Sequence, residues 1–347
     1  MSPIFFYVST LLVYATINAM QALGFNLQFG YGGVINLAFI VSVAVGAYGT
    51  LVAGIPSAPH QLGVETYIGG FNWAFPWDAL FGLAMAILFS ALLAVLVFYR
   101  LHGDYLAVAM IILASGLLVL VGNDTGLLNG QNGLAGLNSP WKSFLDSNGA
   151  TYQVAFFIFC SFLLLLTWVL VARMTRGPFG RTLKAVREDV VAAASLGANP
   201  VRYKMWAFIV GGAIGGMSGV LLVLYDGAWN IGAWQLGETL VLLAAVIVGG
   251  RGRHSGAVLG SLLLMTGIVQ GTKFLPNWFN ASVLASLQTI LVGVIVLAFM
   301  WLRPQGLLPE KLETLRSLSP SKRRTSRRRA SAVNDEPTPV TVAVPVQ

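Results

Sequence analysis

Nine apolar runs, separated by one strongly charged island and several short polar joints, confine this chain to a lipid environment. The runs are roughly Ile4–Gly24, Gly33–Gly54, Asp78–Tyr99, Tyr105–Val121, Gln153–Ala172, Trp206–Tyr225, Glu238–Gly250, Gly256–Thr272 and Ser282–Leu302. Several approach the ~20 residues that a helix needs to cross a bilayer, whereas Tyr105–Val121 and Glu238–Gly250 are short. Short runs bordered by glycine predict broken or re-entrant helices, which persist at membrane depth only where protein or a water-filled cavity surrounds them. Only 10% of the residues are charged, against about 25% in soluble domains. The expected fold class is therefore an all-α polytopic integral membrane protein with about nine segments, some short or broken.

The island runs from Arg173 to Lys204 and holds seven of the 21 Lys and Arg residues, a density that places it on the cytoplasmic side. With nine alternating segments, 19 of the 21 Lys and Arg fall on that side, leaving Lys142 and Lys273 outside. The N-terminus is then outside and the C-terminus cytoplasmic. Leu183, Val186, Val190, Ala193 or Ala194, and Gly197 recur at three- and four-residue spacing, which predicts one short amphipathic helix. Residues 1–308 are expected to form the transmembrane domain, with 173–205 as a cytoplasmic loop. Residues 309–347 read as a basic, disordered cytoplasmic tail, either an anchor for anionic lipid or a plain extension. The first run lacks a positive n-region and is long enough to span, so it is read as a retained helix.

Three joints carry unusual chemistry. From Gly24 to Leu37 lie four glycines, Gly24, Gly30, Gly32 and Gly33, and the amides Asn26, Gln28 and Asn36, suited to pairing backbone groups freed by a helix break. A plain helix hairpin is the alternative. The stretch Asn123–Leu134, with Thr125, Asn129 and Asn132, suits an outside loop that meets a docking protein or lines an entrance; a solvated connector fits equally. The stretch Val246–Gly256 holds Gly249, Gly250, Arg251 and Arg253 but no Gly-Lys-Ser/Thr, so it predicts a tight cytoplasmic turn, not nucleotide binding.

Other chemistries lack their residues. One cysteine, Cys160, sits in an apolar run and is expected to pack as a small hydrophobe. His60, His102 and His254 are scattered, so no metal-ligand spacing exists, and no catalytic triad or paired intramembrane carboxylates are present. The net charge of +8 is concentrated in loops and tail, where topology accounts for it without nucleic acid. An ion-coupled secondary transporter would need titratable groups at mid-membrane, which the chain largely lacks; Glu238 opens its run at a helix N-terminus.

Five motifs in order, covering Gly24 to Leu307, carry a resemblance: GFNLQFGYGGVIN from Gly24, TGLLNGQNGLAGL from Thr125, the island from Gly180, ETLVLLAAVIVGGRGRHSGAVLG from Glu238, and Arg303-Pro304-Gln305-Gly306-Leu307. Together they resemble the permease subunits of branched-chain amino acid ABC importers, on the LivM side of the LivH/LivM family. Permeases for urea and short amides are similar in the same motifs. The resemblance implies a bacterial inner-membrane subunit that pairs with a second homologous permease, two cytoplasmic ATP-binding subunits and an extracytoplasmic substrate-binding protein. It implies that ATP and magnesium belong to the partners, so that this chain is not itself an enzyme. It also makes the island a coupling helix whose matching residues are Arg187, Glu188, Ala192, Ala193 and Gly197, though Asp189, Val190 and Val191 interrupt the family pattern. Asn26, Gln28, Asn36, Gly249 and Gly250 become candidates for the substrate path, and Thr125, Asn129 and Asn132 for the binding-protein face.

Overall fold

The computed structural model describes residues 3–57, 67–100, 105–142, 150–270, 281–303 and 305–309. The tail and two of the three histidines, His60 and His102, lie outside the described residues, as do Lys273 and Trp278. The helices are α1 (Pro3–Asn26), α2 (Phe39–Gly54), α3 (Trp77–Arg100), α4 (Tyr105–Asn123), α5 (Thr125–Leu128), α6 (Ala150–Arg176), α7 (Pro178–Glu188) and α8 (Val190–Ser195). They continue with α9 (Pro200–Asp226), α10 (Leu236–Gly249), α11 (His254–Ser261) and α12 (Ala281–Leu302). Six helical stretches are long and apolar enough to cross a membrane, and three shorter apolar ones accompany them. The chain is thus a helical, multi-pass membrane protein.

Several bounds differ from the sequence reading. The run from Tyr105 is one continuous helix of 19 residues. The run Trp206–Tyr225 begins earlier, at Pro200, because Asn199 accepts the Arg202 N–H and Pro200 occupies the first turn, where its missing N–H costs nothing. The helix beginning at His254 passes into a π-helical stretch, Leu262–Gln270.

Helices α2, α3 and α9 form the closest-packed group, because glycines remove the side chains that would hold them apart. A Cβ on Gly219 would lie 2.0 Å from the Val43 carbonyl oxygen, and one on Gly46 would lie 2.2 Å from the Gly216 oxygen. Phe25, Phe39, Phe156 and Phe208 are fully buried nearby in the core, and Cys160 is buried as expected. Helix α1 packs on α6, α9 and α11. Its N-terminal half is tied by polar contacts: Ser9 to Gln153, Gln153 Nε2 to Thr10 Oγ1 at 3.1 Å, and Tyr14 OH to Asp226 at 2.7 Å.

The island folds differently from the single helix expected. It divides at Asp189, whose backbone is extended (φ −148°, ψ 108°) and whose carboxylate accepts the N–H groups of Val191 and Ala192 at 2.9 Å. An aspartate whose side chain caps the following N–H groups starts a new helix more favourably than it continues the old one. Gly197 then closes α8 with φ +86°, a conformation glycine adopts without a Cβ penalty.

Candidate functional site

The chain between α1 and α2 is built as a break. After Asn26 the helix widens into a π turn, Leu27–Tyr31, a form often found at functional positions. The carbonyls of Leu27, Gln28 and Phe29 accept the N–H groups of Gly32, Val34 and Gly33 at 3.2, 3.0 and 3.1 Å, so most of the freed backbone is satisfied locally. Gly33 has φ +65°. A Cβ on Gly30 would lie 2.1 Å from Asn26 Oδ1, so only glycine fits there.

The three amides of the break are fully buried, and each is engaged within the protein. Gln28 Nε2 donates to the Phe208 carbonyl at 2.8 Å, and Gln28 Oε1 accepts from Asn36 Nδ2 at 3.0 Å. Asn36 Oδ1 accepts the Ala38 N–H at 3.0 Å at the start of α2. Asn26 Oδ1 accepts the Gly252 N–H at 3.0 Å, from the turn between α10 and α11. Replacing Gln28 with leucine removes the second bond to the Phe208 carbonyl, which keeps its partner within α9, and leaves the Asn36 amide without its acceptor. An orphaned buried group costs about 1–3 kcal/mol. The expected result is a thermal midpoint several degrees lower in detergent.

That turn is the tight joint the sequence predicts. Gly250 has φ +114°, and a Cβ there would lie 2.2 Å from the Leu308 oxygen. The Leu307 and Leu308 N–H groups donate to the Val248 and Gly249 carbonyls at 2.8 and 3.1 Å, folding residues 305–309 onto the end of α10.

Two residues that the sequence did not single out as site members, Tyr31 and Thr175, meet His254 here. The His254 Nε2 lies 3.2 Å from Tyr31 OH and 2.8 Å from Thr175 Oγ1, and its ring stacks on Tyr31 with centroids 5.0 Å apart. Lys184 Nζ sits 5.1 Å from the centre of the Tyr31 ring. The end of α1, the end of α6, helix α7 and the start of α11 therefore converge on the π turn. Glycine and amide content alone hinted at a junction; the aromatic contacts emerge only in three dimensions.

On the island, Arg187 and Glu188 are paired, with Nη2 to Oε1 at 2.6 Å, the arginine largely buried and the glutamate exposed. Ala193 is buried, whereas Ala192 and Gly197 are exposed. Val191 is 75% and Leu196 88% exposed, so the short α8 presents an apolar tip among charged residues. Among the described residues nothing lies within 4 Å of where a Gly197 Cβ would be.

The opposite end of the bundle is more ordered than a connector. Asp124 caps α5 by accepting the Gly126 N–H at 2.9 Å. Asn129, at φ 61°, is buried and donates from Nδ2 to the Gly133 carbonyl at 2.9 Å. Leu134–Ala135 (β1) then pairs antiparallel with Ala228–Trp229 (β2), a two-residue ribbon that the sequence reading did not anticipate. Thr125 and Asn132 are exposed. A cavity of about 340 Å³ beside this cap is lined by Asn123, Gln131, Gln235 and Ile231 among others.

A second cavity, of about 420 Å³, lies between α2, α3 and α4 and is almost wholly apolar, with Tyr48, Met85, Phe89 and Trp234 in its walls. A zwitterion held there would forfeit its hydration with almost nothing to replace it. On the island side a cavity of about 570 Å³ lies between the ends of α3 and α9, against Tyr99, Asn199 and Arg202. None of Asn26, Gln28, Asn36, Gly249 and Gly250 lines these three cavities. Among the described residues, no group of three or more His, Cys, Asp or Glu stands together in a way that could hold a metal ion.

Residues 7–300 match the family model described as the permease component of the branched-chain amino acid transport system. The chain is 29% identical to the high-affinity branched-chain amino acid permease LivM of Salmonella typhimurium, over 83% of this chain and 66% of that protein. It is 24% identical to a probable LivM permease of Methanocaldococcus jannaschii, over 88% of this chain and 94% of that one. Similarity to LivH of Escherichia coli is 26% identity over 71% of this chain and 79% of that protein. The chain spans just under two thirds of the length of the Salmonella relative, at 66%. No solved structure is significantly similar.

Proposed function

The chain belongs to the branched-chain amino acid transport permease family, and from that premise we propose that it is the LivM-type transmembrane subunit of an ATP-driven importer. It lies in the bacterial inner membrane beside a second, homologous permease. Two cytoplasmic subunits bind ATP and magnesium, and an extracytoplasmic protein delivers a branched-chain or related hydrophobic amino acid. The chain itself performs no chemistry on the substrate; it exchanges inward- and outward-facing arrangements whose balance the ATPase sets.

One observation carries this reading beyond family membership. Helix α8 exposes Val191 and Leu196 in a segment too charged to lie in hydrocarbon, so their apolar surface needs a protein partner. The coupling contact on this reading comprises Val191, Ala192, Leu196 and Gly197, with Ala193 holding α8 to the permease. The end of the bundle that holds the island also holds Arg251, Arg253 and Arg303, while Lys142 follows the β1 strand at the other end. That distribution supports a cytoplasmic island, a cytoplasmic C-terminus and an outside N-terminus. Asn26, Gln28, Asn36, Gly249 and Gly250 act on the substrate route by fixing the shape of the break rather than by touching substrate. Thr125 and Asn132, with Asn129 shaping their loop, face the binding protein.

Reconstitution tests the assignment. Vesicles containing both permeases and the ATPase subunits, given loaded binding protein and ATP, should accumulate leucine, isoleucine or valine, while urea and short amides should not compete. Uptake by this chain alone, driven by an ion gradient and indifferent to ATP, overturns the reading. A smaller change is expected at Gly197. Substituting valine forces a β-branched residue to φ +86°, costing about 1–2 kcal/mol. Fraying of α8 should then weaken ATPase co-purification severalfold without altering the amount of permease in the membrane.

A further inference from the structure

Arg187, expected among the docking residues, is turned mostly into the permease. Its side chain is 15% exposed, against 71% for the adjacent Glu188. One guanidinium nitrogen donates to the Gly30 carbonyl inside the permease, while Nε and Nη2 donate to Glu188 at 3.1 and 2.6 Å. The neighbouring carbonyls of the π turn take backbone N–H groups from residues 32–34, and the Gly30 carbonyl takes the arginine. Gly33 is shaped to receive it, since a Cβ there would lie 2.9 Å from Arg187 Cγ.

The positions on either side of this bond make it mechanical. Arg187 is separated from α8 only by Glu188 and the extended Asp189, so a displacement of α8 has little slack to absorb it. At the other end, the π turn is tightly seated. A Cβ on Gly30 would lie 2.5 Å from the Gly252 nitrogen, and one on Gly24 would lie 2.7 Å from the Gly211 oxygen. A pull on Gly30 is therefore passed to α1 and, through the Asn36–Gln28 pair, to the start of α2. Lys184 over the Tyr31 ring supplies a second contact from α7 to the same turn. A hydrogen bond to a charged donor is also stronger than a neutral one, as a transmitting contact requires.

We propose that Arg187 is a transmission residue: its guanidinium holds the α1–α2 break to the docking helix, so that movement of α8 becomes movement of the transmembrane core. This inference rests on the importer reading and adds to it the route by which the two are linked. Its loss should uncouple the machine rather than dismantle it.

The test uses the complete importer. Arg187→Gln should lower uptake about tenfold or more, the range of a typical coupling energy, while the ATPase subunits co-purify in unchanged ratio. ATP hydrolysed per substrate carried should rise, a readout that a merely structural defect does not move. Arg187→Lys, which keeps a charged donor, should recover a substantial share of both. Uptake in the Arg187→Gln complex equal to the unaltered one overturns the proposal. Loss of the ATPase subunits from that variant also overturns it, and returns Arg187 to the docking surface with the importer reading intact. Failure of the unaltered chain to hold ATPase subunits at all is the distinct result that removes the importer reading. Should Arg187→Gln not insert, amide exchange in the unaltered complex decides. An ATP analogue should change protection at residues 30–34 together with residues 185–189, and a change confined to 185–189 overturns the link.

Discussion

Replacing Val191 and Leu196 together with aspartate is expected to abolish uptake while leaving the permease in the membrane at its normal level. Both side chains are largely exposed, and neither supports the core. Exposed substitutions of this kind usually change stability by less than about 0.5 kcal/mol. Docked in a groove, however, each apolar side chain contributes about 1.5–3 kcal/mol through removal of its surface from water. Losing two gives about 3–6 kcal/mol, or roughly a hundred- to ten-thousand-fold weaker docking at 1.4 kcal/mol per decade. The added carboxylates, desolvated without a partner, make the penalty larger. Co-purification of the ATPase subunits measures docking, substrate accumulation in vesicles measures the consequence, and membrane protein level is the control. Retained uptake above half of normal would show that α8 is not the docking element.

The legible parts of this molecule are those set by short-range composition. Apolar runs located the long helices but not all of their ends, since α2 starts at Phe39 and not Gly33 and α9 at Pro200 and not Trp206, because burial in lipid selects for nothing finer than hydrophobicity. Cys160 read as a packing residue and is one, and the glycines at 249 and 250 read as a tight turn and form one. The island's division was hidden because the spacing of Leu183, Val186, Val190 and Ala193 continues across Asp189, although an aspartate before Val-Val-Ala is the pattern of a helix start. Gly133, Gly136 and Gly227, all at positive φ, flank the short ribbon and were the available sign of it. The inward turn of Arg187 and the meeting of Tyr31, Thr175 and His254 had no such sign. Both depend on which segments the fold brings together, separated by 157, 79 and 223 positions in the chain.

The glycines between α2, α3 and α9 set the second large effect, and it falls on folding rather than coupling. Even the smallest change, Gly219→Ala, is expected to remove most of the folded protein. The added carbon would lie 2.0 Å from the Val43 oxygen, 2.8 Å from the Val43 carbonyl carbon and 3.2 Å from the Ala47 nitrogen, all backbone atoms with no rotamer to change. Relief requires α2 and α9 to separate by about 1.5 Å to restore a contact near 3.5 Å. The separation is not local, because Gly46 against Gly216 and Gly82 against the Gly46 carbonyl and Thr50 Oγ1 belong to the same seam. In a bilayer lipid tails are as apolar as the helices, so close van der Waals packing must supply much of the association that water drives elsewhere. A gap along the seam forfeits a quarter to a half of each contact well. Gly116→Ala is the matched control: it is exposed on α4 with nothing within 4 Å among the described residues, and should be neutral or stabilising by up to about 1 kcal/mol of helix propensity. Folded yield in detergent and the thermal midpoint compare the two. Similar behaviour of Gly219→Ala and Gly116→Ala would mean that α2 and α9 are not held in backbone contact, and the packing argument would fail at its strongest point.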